Sequence, residues 1–355
     1  MGDDGHYVPG SLWFYAPNKG APVVWATLFA ISMGMHAYQC TRYKCWKVTG
    51  IFPWASLLFV IGYVSREVGA FDYGNVKIFI TSTVFIYAAP PLYELANYFI
   101  LSRILYYVPY HSPIHPGRVF TTFGFLSSVI EALNANGIAY MANTTLSPKK
   151  QDIGKSLVKA ALLLQLVVLF AFAFLAITFQ RRCMKASLMP NNLRMPLSTL
   201  YISSSLIFVR TLFRTIEFFT TASLNFHDEN LDPRSLSPVL RYECFFWIFE
   251  GVLMVLNSFI MNRWHPMRFL PRNNKIYLAL DGITEVEGPG YEDKRHWLVT
   301  FVDPFDINGL LKGQKLEDKF WETHQDGRDT GVTASGDVVQ GREQDKETAI
   351  GTANA

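Results

Sequence analysis

Five charged residues lie where an apolar chain should carry none. Arg210, Arg214 and Glu217 sit inside one long apolar segment, and Glu243 and Glu250 sit inside the next. On a helix advancing by roughly 100° per residue, steps of four and seven keep Arg214 and Glu217 within about 40° of Arg210, all three on one face. Glu243 and Glu250 likewise share a face, with Trp247 between them. A charge at mid-bilayer depth costs roughly 2.5 to 3.5 kcal/mol on insertion scales, so these groups must face one another, other helices or water. The chemistry open to such a set is recognition. A carboxylate can hold a cationic head group, and an arginine beside it, which cannot lose its proton, keeps that carboxylate ionised. Antiparallel geometry, with a connection centred near residue 231, sets Arg210 and Arg214 at the depth of Glu250 and sets Glu217 near Glu243. Arg210 with Glu250, held in bidentate fashion, is the expected pair. A structural reading stands beside this one, in which the charges are counter-ions that fix the register of a helix bundle.

Two further carboxylates, Glu94 and Glu131, also fall in apolar segments, each a proton acceptor or the partner of an arginine. The expected substrate-contacting set is therefore Arg210, Arg214, Glu217, Glu243, Trp247, Glu250, Glu94 and Glu131. Arg66 and Glu67 lie near a segment end, where long side chains snorkel to the interface. His36 reads as a hydrogen-bonded helix residue. It alone of the eight histidines lies within an apolar segment, so a bis-histidine haem or a three-histidine hydrolase lacks ligands. There is no GxSxG elbow and no GxxxxGK[ST] loop. No aspartate lies deep in a segment, as an intramembrane aspartyl protease requires. No enzymatic activity, cofactor or metal is expected. The four cysteines form no CxxC pair, and Cys40, Cys45 and Cys183 are candidates for palmitoylation near the cytoplasmic face.

The elements that must position these residues follow from composition. Hydrophobic residues make up 50% of the 355 and charged ones 17%, against about 25% charge in a soluble domain. The net charge of +3 gives no basis for nucleic-acid binding. Apolar windows of about 20 residues, the length that crosses a 30 Å hydrocarbon core, fall at 22–41, 51–70, 78–101, 118–142, 157–180, 198–222 and 240–260. The expected fold is an all-α, polytopic membrane bundle of seven transmembrane helices spanning residues 21–262. Arg42, Lys44, Lys47, Arg103, Arg118, Arg181, Arg182, Arg263, Arg268 and Arg272 all fall on one side of that bundle. The bias puts the N-terminus, residues 1–20, outside and the C-terminus in the cytosol. Residues 1–20 lack a basic region before an apolar core, so no cleaved signal peptide is expected. The sequon Asn143-Thr144-Thr145 then lies outside as a glycosylation acceptor, as does an acidic connection with His227, Asp228, Glu229 and Asp232. Pro90 and Pro91 interrupt the third span and are expected to kink it. Residues 263–312 read as a cytosolic juxtamembrane segment with strand-like stretches at 275–280 and 297–302. Residues 313–355 read as a disordered cytosolic tail.

The inventory resembles the fungal RTA-like proteins, or lipid-translocating exporters, a family associated with resistance to toxic lipids such as sphingoid long-chain bases, and in some members to porphyrins or drugs. The resemblance rests on Gly62-Tyr63 with Arg66, Ala89-Pro90 with Ala96, Tyr98 and Arg103, and Gly137. Its most specific part is Arg210-x3-Arg214-x2-Glu217 followed by Glu243-x3-Trp247-x2-Glu250, with His265-Pro266 where the chain leaves the membrane. Relatives usually carry Asp and Tyr where Glu250 and Trp247 stand. The resemblance covers roughly residues 22 to 290 and implies seven spans, an outside N-terminus and a plasma-membrane location.

Two readings of function follow. The first is an exporter or translocator of amphipathic lipids or lipophilic toxins, a resistance glycoprotein whose partners are membrane lipids or lipophilic small molecules. The second is a seven-helix membrane receptor or sensor, which shares the topology.

Overall fold

The computed structural model describes residues 11–13, 15–72, 74–143, 146–222, 237–273, 275–288 and Val299. Helix α1 (Ala21–Arg42), the single turn α2 (Trp46–Thr49) and α3 (Ile51–Gly69) are followed by α4 (Val76–Tyr107) and α5 (Pro116–Ala142). Then come α6 (Pro148–Lys185) and α7 (Asn191–Ala222). The last segment is composite: α8 (Pro238–Arg241), α9 (Glu243–Phe246), a π-helical stretch at Trp247–Val252 and α10 (Leu253–Arg263). The starts of these helices are written locally. Pro116 and Pro148 open α5 and α6, where a missing N–H costs nothing. Asn75 caps α4, its side-chain oxygen accepting from the N–H groups of Lys77 at 3.2 Å and Ile78 at 3.4 Å. Pro90 and Pro91 are absorbed within α4, which continues helically past them to Tyr107.

Six of the described helical segments are long and apolar enough to cross a membrane: α1, α3, α4, α6, α7 and Glu243–Arg268. Helix α5 is long enough at 27 residues but less apolar. Thr121, Thr122, Ser127, Ser128, Glu131, Asn134 and Asn136 dilute it, and the seventh expected span rests on its length and position. Helix α6 shows what the outside of the bundle meets. Leu163, Val167, Phe170 and Phe174, spaced four, three and four apart, are 50 to 72% exposed. Water would drive such a stripe to associate, whereas hydrocarbon matches it.

The long helices pack in a closed ring, α1 on α3, then α4, α5, α6, α7 and α10, which returns to α1. Helix α4 also crosses to α7 and so forms the hub. Its Tyr93, Ala96, Tyr98, Ile100 and Leu101 are fully buried. Two close approaches need glycine. A Cβ at Gly62 of α3 would meet Ile86 Cγ1 at 2.6 Å, and one at Gly137 of α5 would meet Val158 Cγ2 at 2.5 Å and the Gly154 carbonyl at 2.9 Å. Small residues of this kind let membrane helices gain van der Waals contact.

Beyond Pro266–Arg268 the chain departs from an all-α expectation. Strands β1 (Ile276–Leu278) and β2 (Glu285–Glu287) form an antiparallel hairpin, Tyr277 opposite Val286. The strand-like stretch at 275–280 thus finds its partner at 285–287 rather than 297–302; of the latter only Val299 is described, and it is helical. The hairpin docks under the bundle, Tyr107 donating to Glu285 Oε1 at 2.9 Å. Cys40, Cys45 and Cys183 are buried, which corrects the palmitoylation reading, because side-chain packing shields all three thiols. The acidic connection around His227 and the 313–355 tail lie outside the described residues.

Candidate functional site

The charges of α7 are held in two different ways. Arg210 is buried, and its Nε donates to Glu250 Oε2 at 2.8 Å, joining α7 to the π-helical stretch. The pair expected from sequence therefore forms, but through one oxygen rather than two. Glu250 Oε1, although buried, has no hydrogen-bond partner among the described residues. One turn further along α7, Arg214 Nη1 donates to Glu217 Oε2 at 2.5 Å, and its guanidinium lies 3.7 Å from the ring centroid of Tyr87 on α4. This pair is partly exposed, with 23% of the arginine and 18% of the glutamate side chain open. The threonines around it return their hydroxyls to their own helix, Thr215 to the Thr211 carbonyl and Thr221 to that of Glu217, both at 2.8 Å.

Glu243 does not sit with Glu217. Its Oε1 accepts from Arg66 Nη2 of α3 at 2.8 Å, and its Oε2 accepts from the N–H of Asn18 at 2.9 Å. The reason lies in the helix geometry. The π-helical stretch between Trp247 and Val252 widens the turn, so the 100° step that put Glu243 and Glu250 on one face does not hold through it. Arg66 is correspondingly not a snorkelling residue. It is buried, donates to the Tyr15 hydroxyl at 3.0 Å, and lies over Phe246 at 4.0 Å and Trp247 at 5.3 Å. Aromatic faces and a carboxylate together satisfy it better than the interface would. Tyr15, upstream of α1, has its phenol pushed up to about 12 by burial, so it stays protonated beside that charge. Trp247 stacks between Trp25 and Tyr63, each ring 6.0 Å away. Glu67, by contrast, is half-buried and accepts from the N–H of Gly20.

Between the Arg66 and Arg214 clusters is a cavity of about 220 Å³. Tyr15, Arg66, Tyr87, Arg214 and Glu217 give it a polar wall, and Phe79, Ile86, Phe218, Leu240 and Phe246 give it an apolar one. It lies at the pole where α3 and α7 end and α4 begins. Drug-sized ligands occupy roughly 300 to 1,000 Å³, so this space suits a smaller group with one polar and one apolar side. Three arginines face three glutamates in the pairs 66–243, 210–250 and 214–217, and the last of these glutamates alone lines the cavity.

Glu94 and Glu131 stand apart. Glu94 of α4 is buried, accepting from Gln165 Nε2 of α6 at 2.8 Å and from the Tyr98 hydroxyl at 3.4 Å. An amide and a phenol, not an arginine, are its partners. Glu131 on α5 is half-buried. Neither lines the cavity. A further buried network was not anticipated. Tyr93 donates to Ser258 at 2.7 Å and meets Ser56 at 3.0 Å, Ser258 meets Ser32 at 2.5 Å and His36 Nε2 at 3.4 Å, and Asn262 donates to Ser32 at 2.6 Å. His36 is thus a hydrogen-bonded helix residue, stacked on Phe52. Asn143 caps the end of α5 and is exposed, while Thr144 and Thr145 lie outside the described residues. No cluster of histidine, cysteine, aspartate or glutamate able to hold a metal occurs among the described residues.

Several apolar membrane-length helices around buried ion pairs and an amphipathic cavity define a multi-pass helical membrane protein. The chain belongs to the RTA1 like protein family, whose profile matches residues 52–273. It is 44% identical over 293 residues to the lipid-translocating exporter-like protein RTA1 of Leptosphaeria maculans, covering 80% of this chain and 56% of that one. The chain thus spans little more than half the length of that relative. It is 30% identical over 271 residues to the lipid-translocating exporter-like protein RTA1 of Ajellomyces capsulatus, covering 72% of this chain and 80% of that one. It is 23% identical over 288 residues to protoporphyrin uptake protein 1 of Saccharomyces cerevisiae, covering 69% and 88% respectively. No solved structure matches the chain.

Proposed function

We propose that the protein is an integral membrane exporter of amphipathic lipids or lipophilic toxins that confers resistance to them. It crosses the plasma membrane seven times, α5 included, with the N-terminus outside. The observation that carries this reading is the amphipathic cavity, in which the half-open Arg214–Glu217 pair faces an apolar wall. Its shape and chemistry suit a long-chain base: Glu217 takes the ammonium while Phe79, Ile86 and Phe218 take the start of the chain. Arg66–Glu243 and Arg210–Glu250, both buried, hold the helices that wall the cavity, and Arg66 itself forms part of that wall. The names borne by the relatives, lipid-translocating exporter-like and protoporphyrin uptake, agree with a lipophilic substrate and a non-enzymatic role. Growth of cells with and without the protein on a panel of long-chain bases, azoles and porphyrins tests this. Selective resistance, lost in Glu217→Gln at equal surface expression, is the expected result. Equal sensitivity of all strains refutes export as its role.

A further inference from the structure

At the opposite pole a second cavity, of about 590 Å³, opens between the turn joining α1 to α3, the end of α4 and the segment after α10. Helix α3, with 19 residues and about 1.5 Å of rise per residue, separates the two poles, so one head group cannot occupy both. The charged lining of the second cavity is Lys44, Lys47, Arg103 and Arg272, with no acidic residue among them. Among the described residues, none of the four is within ion-pair distance of a carboxylate. Like charges gathered around one space raise its potential, and a bound anion relieves that repulsion. The site is also shaped. Arg103 is tied down by its Nη2 bond to the Pro271 carbonyl at 2.7 Å, while its buried Nε has no partner among the described residues. Lys44 adopts the left-handed conformation, φ 51°, which a non-glycine residue keeps only where its surroundings impose it. Trp46, 48% exposed, lines the same cavity and is an aromatic suited to the membrane–water interface.

We infer that this cavity binds a phosphate-bearing anion, the group that a phospholipid head presents at the bilayer interface. Basic pockets at the ends of membrane helices recognise such head groups by charge. The binding is separate from the transport cavity and does not depend on the exporter reading.

The test uses the full chain purified in a neutral detergent, with affinities taken from the concentration dependence of its melting temperature. The probes are dioctanoyl phosphatidic acid, inorganic phosphate and, as a zwitterionic control, dioctanoyl phosphatidylcholine. Phosphatidic acid should stabilise saturably. The triple variant Lys44→Gln, Lys47→Gln, Arg272→Gln should weaken its binding roughly tenfold or more, as expected for the loss of three interfacial charges. The charge-matched variant Lys149→Gln, Lys150→Gln, Lys155→Gln, at the other pole, should leave it unchanged. If the first triple variant melts abnormally without ligand, the single exposed reversal Arg272→Glu replaces it. Phosphatidic acid acting alone identifies a lipid source, and inorganic phosphate acting as strongly identifies a soluble one; either supports the site. Equal loss in both triple variants, or an equal response to phosphatidylcholine, overturns it.

Discussion

Removing Glu250 should cost more than any other single change in the charge cluster, and removing Arg210 with it should cost less. Glu250 is completely buried and Arg210 is 4% exposed. At the 2.8 Å separation of this pair, and with an effective dielectric near 20, the gross attraction is about 6 kcal/mol. Desolvation offsets part of it, and the loss on deleting one partner of a buried pair is roughly 3 to 5 kcal/mol. Glu250→Gln leaves Arg210 with an amide oxygen and no countercharge. Its melting temperature should fall by on the order of 10 °C if about 2 to 4 °C is lost per kcal/mol. Arg210→Met with Glu250→Leu leaves no buried charge and should recover most of that fall. The assay is a double-mutant cycle on purified protein in detergent, read by thermal unfolding. A coupling of at least about 2 kcal/mol is expected. Additive single-variant losses below about 1 kcal/mol each would refute the claim that the pair holds α7 to the last helix.

Other consequences are as direct. Gly137→Ala forces a Cβ to within 2.9 Å of the Gly154 carbonyl, so α5 and α6 must move apart; thermal unfolding should show a loss of about 1 to 3 kcal/mol. Tyr15→Phe removes one hydrogen bond to Arg66 and should cost about 1 kcal/mol or slightly more by the same measurement, since the acceptor faces a charge. Arg66→Gln strands Glu243, so it should cost about 3 kcal/mol or more and lower surface expression. Asn143→Gln should abolish a glycosidase-sensitive shift in electrophoretic mobility; an unchanged shift would mean the sequon is unused.

Some of this was legible in the sequence and some was not, for physical reasons. Arg210 and Glu250 could be matched because each lies within an apolar segment and an antiparallel turn brings them level. The partner of Glu243 could not be found in the same way, because the π-helical stretch at Trp247–Val252 resets the angular phase. Arg66 was obscured by its position near a helix end, where snorkelling is an equally good use of the side chain. Tyr15 and Asn18 precede the first helix, and no periodicity announces that this segment folds back onto Arg66 and Glu243. The serine and asparagine network around Tyr93 was invisible because small polar residues are common in membrane helices and are read singly as neutral. The hairpin at Ile276–Leu278 could be half-read, since its β-prone run is plain, whereas Glu285–Glu287 carries charges on both sides of a single valine.

If Arg214 and Glu217 line the route by which amphipathic molecules cross the membrane, that movement can be followed directly. The most direct measurement is the transbilayer movement of a fluorescent long-chain base in vesicles carrying purified protein, for the wild type, Glu217→Gln and Arg214→Ala. Both side chains of this pair are partly exposed, so both variants should stay folded, which their melting temperatures would verify. Accelerated movement in the wild type that falls to the protein-free rate in Glu217→Gln is the predicted result. Movement no faster with wild-type protein than without it, or undiminished in both variants, would contradict the account.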